Sequence, residues 1–495
     1  NDRHTGLLFP SFGYSSNKGS SYKQGFFWAI SENLDATFYL DYYNEKGPAG
    51  GIDYRYIIDE KTNGELWMYH VRDDEPDRNL FELKAYHNQA LPYDTTGFLK
   101  IHTVNEFDYY TEMDSTSSRR FGLTSGTNTP FGITSEEKLQ KYLESNLHIS
   151  KLITPGRIYL LAQGRQGLEG SSRTIPQTVP EIAMVINTKA LNQYTSYSMN
   201  ITGTNYYRDE GQKGTRIDLN PAIYFSYGRL FNISQKVGLR ETSYFISDPT
   251  LTKHRFTADL TTTLSTKLFR SYDSFVHIME PVIKYDHAPS TDHDNIPFFS
   301  SVDSLPQKSL ITYALTNRVS GLKHNNLALR FRVSQSYGLL ETDKDSPFTP
   351  VLVETTLNSG KLDMNFNASY DVHEKTLSET IASLRFKHPK GYIGGGKNYR
   401  RASSLDQITF EAGLYNPISI SGHDLPIDIS SILWYDLNGN GVQEFRIQST
   451  YRSQCWAFST QFIKQPDDYS ILFAVELTGI GTFGTRNVNS FTENP

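Results

Sequence analysis

Polar and apolar residues alternate with period two along most of the chain, the pattern of β-strands whose successive side chains point to opposite faces of a sheet. From Leu34, the positions Leu34, Ala36, Phe38, Leu40 and Tyr42 are apolar, while Asn33, Asp35, Thr37 and Asp41 between them are polar. Ile52, Tyr54, Tyr56 and Ile58 repeat the pattern around Asp53 and Arg55, and Ile217, Leu219, Ile223 and Phe225 do so around Arg216, Asp218 and Asn220. In the clearest case, Leu362, Met364, Phe366, Ala368 and Tyr370 form a wholly apolar face opposite Lys361, Asp363, Asn365, Asn367, Ser369 and Asp371. Read end to end, the pattern predicts roughly 24 to 27 strands of about 10 residues, the length that crosses a bilayer at a tilt.

Alternation alone fits two architectures. In a soluble sandwich the apolar face meets a second sheet, and in a transmembrane barrel it meets lipid while the polar face lines a wet lumen. Strand number separates them, because a soluble sheet of this size would split. The aromatic doublets Tyr42-Tyr43, Tyr109-Tyr110, Tyr206-Tyr207 and Phe298-Phe299 fall at strand ends, where amphipathic rings would sit at lipid headgroups. The expectation is an all-β fold: one large single-chain transmembrane antiparallel β-barrel over residues 1–484, with a C-terminal tail over 485–495. Polar stretches at 114–129, 289–306, 341–350 and 397–404 have loop composition. Thr134 and Glu137 stand at capping-box spacing ahead of Leu139, Tyr142 and Leu143, which predicts one short helix in a loop.

Composition narrows the class further. The 495 residues include 32 Tyr and 29 Phe, and the mean hydropathy of -0.49 is too polar for a helical membrane protein. No apolar run approaches the roughly 18 to 20 residues of a helical span. Asn1-Asp2-Arg3-His4 leads directly into strand-like sequence without a basic and then apolar leader, so the chain reads as a processed or trimmed piece. The net charge of -6 is spread without a basic run, which argues against a nucleic-acid partner. The single cysteine, Cys455, has no partner within this sequence.

Catalytic and metal-binding patterns find little support, and the chain is not expected to be an enzyme or to carry a cofactor. Asp436, Asn438, Asn440 and Gly441 resemble the start of a calcium loop, but the twelfth position is Ile447 instead of a bidentate Glu, so a hairpin turn is expected. His287 and His293, near Asp292 and Asp294, read as solvated loop residues, and no metal is expected. Gly394-Gly395-Gly396-Lys397 lacks the spacing of a phosphate-binding loop and reads as a turn. No Gly-x-Ser-x-Gly nucleophile motif occurs.

The N-terminal run Thr5-Gly6-Leu7-Leu8-Phe9-Pro10-Ser11-Phe12-Gly13, followed by Phe27-Trp28-Ala29-Ile30, Asn33-Leu34-Asp35-Ala36-Thr37 and Tyr54-Arg55-Tyr56, resembles the opening strands of the lipopolysaccharide-assembly family LptD, also called OstA. The resemblance continues at Val179-Pro180-Glu181-Ile182, Glu280-Pro281-Val282-Ile283-Lys284-Tyr285, Ile296-Pro297-Phe298-Phe299 with Asp303, Asn317-Arg318 and Gln454-Cys455-Trp456-Ala457. It implies a 26-strand barrel in the bacterial outer membrane, closed by pairing the first strand with the last. It further implies a plug lipoprotein of the LptE type in the lumen. A periplasmic jellyroll before the barrel, absent from this sequence, would receive lipopolysaccharide from a periplasmic bridge protein. Two departures stand out: family members often carry two adjacent cysteines where this chain has Cys455 alone, and a second proline near the start of strand two where it has Gly25.

The implied activity is the final step of lipopolysaccharide transport, with insertion into the outer leaflet through a polar lumen and a lateral gate. Pro10 offers a physical reason for a weak seam, since proline donates no ladder hydrogen bond and is confined to edges and bulges. Gly13, Gly19 and Gly25 add backbone freedom beside it, and Gly479, Gly481 and Gly484 end the expected last strand, 471–483. The gate expectation is therefore a seam between strand one, about 5–15, and that last strand. Cys455 is expected in a turn, paired in an interdomain disulfide or left as a free thiol. A plugged outer-membrane transporter or porin-type channel is the alternative, separable by strand number, and a scaffold or adhesin barrel is a third.

Overall fold

A computed structural model describes residues 4–8, 10–74, 77–113, 141–168, 170–247, 250–291, 296–321, 327–415, 418–420, 423–454, 456–466, 469–477 and 481–483. The alternating stretches form one continuous antiparallel sheet whose first strand pairs with its last, which makes a closed barrel of 26 strands. The first strand consists of two pieces, Gly6–Leu7 and Ser11–Ser15, and the fourteenth likewise joins Thr250–Thr266 to Leu268–Ser271. A separate small hairpin, Ile418–Ile420 with His423–Leu425, lies outside the barrel sheet. With an even number of strands, the first strand begins and the last strand ends at the same rim, called here the terminal rim.

Period two sets which side faces out. Ile217, Leu219, Ile223 and Phe225, all on the twelfth strand (Gly214–Gly228), are exposed, as are Phe38, Leu40 and Tyr42 on the third (Leu34–Tyr43). Their neighbours Arg216, Asp218, Thr37 and Asp41 are buried on the inner face. A greasy exterior around a charged interior is the arrangement of an outer-membrane barrel, and this chain is one. Long connections at 105–141, 289–307 and 339–350 all leave the rim opposite the termini, as expected for the outward side.

Several expectations are corrected by the register. Adjacent residues of a strand face opposite ways, so the aromatic doublets cannot both sit at the headgroups. Tyr42 is 52% exposed on the outside, whereas Tyr43 is buried inside; likewise Tyr207 is outside and Tyr206 buried against Phe299. Tyr109 and Tyr110 do not end a strand but begin a short helix, α1 (Tyr109–Glu112), that buries both rings. Tyr142 and Leu143, expected on a helix, instead open the eighth strand, Tyr142–Ile153, where Leu143 joins the inner apolar cluster. The rest of that expected helix, and the 114–129 loop, lie outside the described residues.

Gly394, Gly395 and Gly396 are strand residues and not a turn, within the twenty-first strand, Gly391–Arg400. The reason is lateral: Arg385 and Glu411 flank Gly394 on the neighbouring strands and clasp each other across it, Nε to Oε1 at 2.6 Å and Nη2 to Oε2 at 2.5 Å. A Cβ at Gly394 would stand 2.5 Å from Glu411 Oε1 and 2.7 Å from the Leu384 carbonyl oxygen. The Asp436 segment is a hairpin turn as expected, with Asp436 accepting from the Asn438 amide at 2.8 Å and the Asn440 side chain at 2.7 Å. His287 belongs to a strand, Phe275–Ala288, and His293 lies outside the described residues.

Candidate lateral gate and lumen

The first strand is interrupted where proline dictates. Leu8 donates its amide to the Gly25 carbonyl at 2.8 Å, and the ladder resumes with Ser11 opposite Lys23 on the second strand, Gly19–Ser31. Two residues of the first strand thus stand against Gln24 alone, the count of a β-bulge. Pro10 occupies this break. The Gln24 side-chain amide fills the gap, donating to the Leu8 carbonyl at 2.7 Å and to the Gly25 carbonyl at 2.8 Å. The Leu8 carbonyl at the break is thereby satisfied by a side chain, while the Gly25 carbonyl accepts both this amide and that of Leu8.

Closure of the cylinder rests on a short zip. Phe12, Gly13, Tyr14 and Ser15 pair with Phe473, Leu472, Ile471 and Ser470 of the last strand, Tyr469–Leu477. By contrast, the last strand pairs over nine positions with its other neighbour, Trp456–Lys464. The zip lies at the outward rim, where the Ser16 amide donates to the Tyr469 carbonyl at 3.0 Å and the Tyr14 and Tyr469 rings stand 5.5 Å apart. Each ladder bond contributes about 0.5–1.5 kcal/mol net, so a seam of this length is the weakest junction to part.

Toward the terminal rim the seam does not continue. The expected last strand, 471–483, is in fact two pieces: after Leu477 the chain folds back, and Gly481–Phe483 pairs antiparallel with Val475–Leu477. Continued in register, strand one would have placed residues 8–10 on that same edge. The edge is therefore occupied by the chain's own C-terminal segment, while among the described residues Gly6–Leu7 pairs only with Phe26 and Phe27 of the second strand.

The expected gate residues have distinct roles. Gly13 permits close approach: a Cβ there would lie 3.1 Å from Leu472 Cδ2 and 3.2 Å from the Ile471 carbonyl oxygen. Gly25 makes room for a side chain, since a Cβ would come within 2.8 Å of Leu8 Cδ1. Gly481 begins the folded-back segment, and Gly479 and Gly484 lie outside the described residues. Cys455 also lies outside them, but the connection that contains it joins Gly441–Arg452 to Trp456–Lys464 at the terminal rim.

Among the described residues two inward structures narrow the lumen, and the alternation pattern did not reveal either. Beside the third to seventh strands, α1 covers an apolar cluster of Tyr43, Trp67, Tyr69, Val71 and Leu80 set among buried charges. Trp67 donates to Glu82 at 2.9 Å, and Tyr69 donates to Asp41 at 2.6 Å. At the wall of the eleventh to fourteenth strands, the connection after Phe275–Ala288 turns inward and docks through Asp303. Its Oδ1 accepts from Arg216 at 2.9 Å and Tyr244 at 2.8 Å, and its Oδ2 from the amides of Phe299 and Ser300 at 2.8 and 2.7 Å. Arg255 grips the same turn through the carbonyls of Val302 and Asp303. The only hint in the sequence is Pro297-Phe298-Phe299, an apolar patch inside a polar loop.

The family model described as "LPS transport system D" matches residues 79–423. The LPS-assembly protein LptD of Vibrio vulnificus strain YJ016 is 22% identical over 98% of this chain and 69% of its own length. The corresponding protein of Pseudoalteromonas translucida is 24% identical over 92% of this chain and 64% of its own. The chain thus spans about two thirds of these relatives. Among solved structures, the P pilus usher PapC translocation pore covers 97% of the chain at 10% identity and a TM-score of 0.27, and the siderophore receptor PiuA of Acinetobacter baumannii covers 96% at 8% and 0.28. By the match of the family model over most of its length, the chain belongs to the LPS transport system D family.

Proposed function

We propose that this barrel performs the last step of lipopolysaccharide transport, passing the sugars through its polar lumen and releasing the acyl chains sideways into the outer leaflet between its first and last strands. The observation that carries the proposal is the seam: four paired positions at the outward rim, a proline bulge below them, and, among the described residues, no first-to-last pairing below that. The chemistry of the cargo demands such a route. Each CH₂ drawn into water costs about 0.8 kcal/mol, so acyl chains need an apolar path, whereas the sugars need the buried and half-buried charges that line this interior. The work is transport, with no bond made or broken in the lipid.

The terminal rim faces the periplasm in this reading, and the long connections face outward. Lipopolysaccharide arrives from a periplasmic bridge protein through a domain that precedes the barrel, and a small lipoprotein of the LptE type fills the lumen that α1 and the Asp303 turn leave open. Cys455, in a connection at the periplasmic rim, forms an interdomain disulfide. Reduction of the full-length protein is expected to shift its mobility in electrophoresis, and an unchanged band would remove the bridge.

The gate is tested by replacing Ser15 and Ser470, which oppose each other across the zip, with cysteines. Oxidation is expected to stop delivery of lipopolysaccharide to the cell surface and reductant to restore it. Undiminished transport through a seam shown to be cross-linked would end the proposal.

A further inference from the structure

We infer that α1 braces the first hairpin to the barrel wall, so that the first strand is the fixed post of the seam and the last strand is the side that moves. The inference rests on the seam opening proposed above and adds which edge gives way. At the tip of the first hairpin, Lys18 is 2% exposed. Its ammonium donates to the Met113 carbonyl, one residue beyond α1, at 2.9 Å, and the neighbouring Asn17 side chain reaches the Glu112 carbonyl at 3.4 Å. The tip that carries the zip is thus tied to a segment 95 residues away in sequence.

That segment is in turn anchored to the wall of the third to seventh strands. Lys46, in the turn after Leu34–Tyr43, donates to Glu112 at 2.7 Å and to Asp73 at 3.0 Å. Burial alone would lower the Lys46 pKa, but these two carboxylates outweigh it and hold the ammonium above its ordinary range. Arg78 bonds Asp108 at 2.9 Å and lies 3.4 Å from Glu112. Tyr110 donates to Glu82 on the sixth strand, Arg78–Leu91, and also contacts His102 on the seventh, Thr95–Val104. Tyr109 and Met113, both fully buried, pack into the apolar cluster of Tyr43, Trp67, Tyr69 and Leu80.

The two edges of the seam therefore face different penalties. Drawing the first strand away from the last would pull the Lys18 ammonium off a buried acceptor, and an uncompensated buried charge is the costlier state. Among the described residues, drawing the last strand away breaks the zip and its flanking Ser16–Tyr469 bonds and no buried charge pair, since the remainder of that edge is given to Gly481–Phe483. A wall-anchored first strand leaves the hinge on the side of Trp456–Lys464 and Tyr469–Leu477.

The experiment places genetically encoded nitroxide labels pairwise on the full protein with its lumen and periplasmic partners, leaving Cys455 untouched. One pair joins Arg72, exposed on the fifth strand, to Phe12, and the other joins Arg72 to Phe473; both Phe residues are exposed across the seam. During transport of purified lipopolysaccharide into vesicles, the Arg72–Phe12 distance is expected to hold and the Arg72–Phe473 distance to lengthen or broaden. The reverse result overturns the brace and keeps the gate. Constant distances for both pairs during active transport overturn gate and brace together. In a second arm, Lys18→Met with Lys46→Met is expected to broaden the Arg72–Phe12 distribution, and Lys18→Arg with Lys46→Arg to restore it. A narrow distribution in the methionine pair would show that the tie does not hold the strand and would refute the inference.

Discussion

Asp303 shows how much one side chain can organise. Its carboxylate has 1% side-chain exposure and takes four hydrogen bonds, two from the wall and two from its own turn. Breaking one partner of a buried ion pair costs about 3–5 kcal/mol. Asp303→Asn is therefore expected to undock the inward turn while leaving the barrel ladder intact. Hydrogen exchange should show it as a loss of about two to four orders of magnitude in protection of the Phe299 and Ser300 amides. Gly25 makes the opposite point. Its neighbour is the flexible end of Leu8, which can rotate away, so Gly25→Ala is expected to shift stability by less than about 1 kcal/mol in urea unfolding. A glycine read from sequence as backbone freedom proves to be a space for a side chain, because sequence does not say which residue lies opposite.

At the level of elements, the bulge at Pro10 sets the length of the zip. Replacing Pro10 with alanine restores one N–H donor, yet two residues still oppose Gln24 and Gly481–Phe483 still holds the edge of the last strand. Pro10→Ala is expected to tighten the seam by no more than about 1.5 kcal/mol, the net contribution of one hydrogen bond. Transport in a reconstituted assay would then slow by about tenfold at most. Full arrest by this substitution would mean that proline does more than remove a donor. The strands themselves were largely legible: the apolar sets at Phe38, Leu40 and Tyr42 and at Ile217, Leu219, Ile223 and Phe225 all face outward. What misled was local composition. Three glycines looked like a turn until the clasp of Arg385 and Glu411 across them was known, and Tyr142 and Leu143 looked helical until Leu143 was found against the inner cluster.

For the whole molecule, lipid is the solvent of one face and the charged interior of the other. Leu219 lies on the outer face in the body of the twelfth strand. Leu219→Arg is expected to destabilise the barrel by about 2–4 kcal/mol in bilayer refolding, the cost of a charge near mid-membrane. A cost near zero would place that face away from lipid. Closure also explains why so long a sheet persists without splitting, since a cylinder has no free edge except where its seam is thin.

The sequence alone determined the strand class, the approximate number of strands, the facing of the alternating residues and the proline at the first strand, because each depends on neighbours within a few positions. Tertiary structure decided which edges meet. The four-position zip, the folded-back C-terminal segment, the tie from Lys18 to Met113 and the Asp303 dock join residues as many as several hundred positions apart. A period-two code records which way a side chain points; it carries no record of what the closed cylinder brings in front of it.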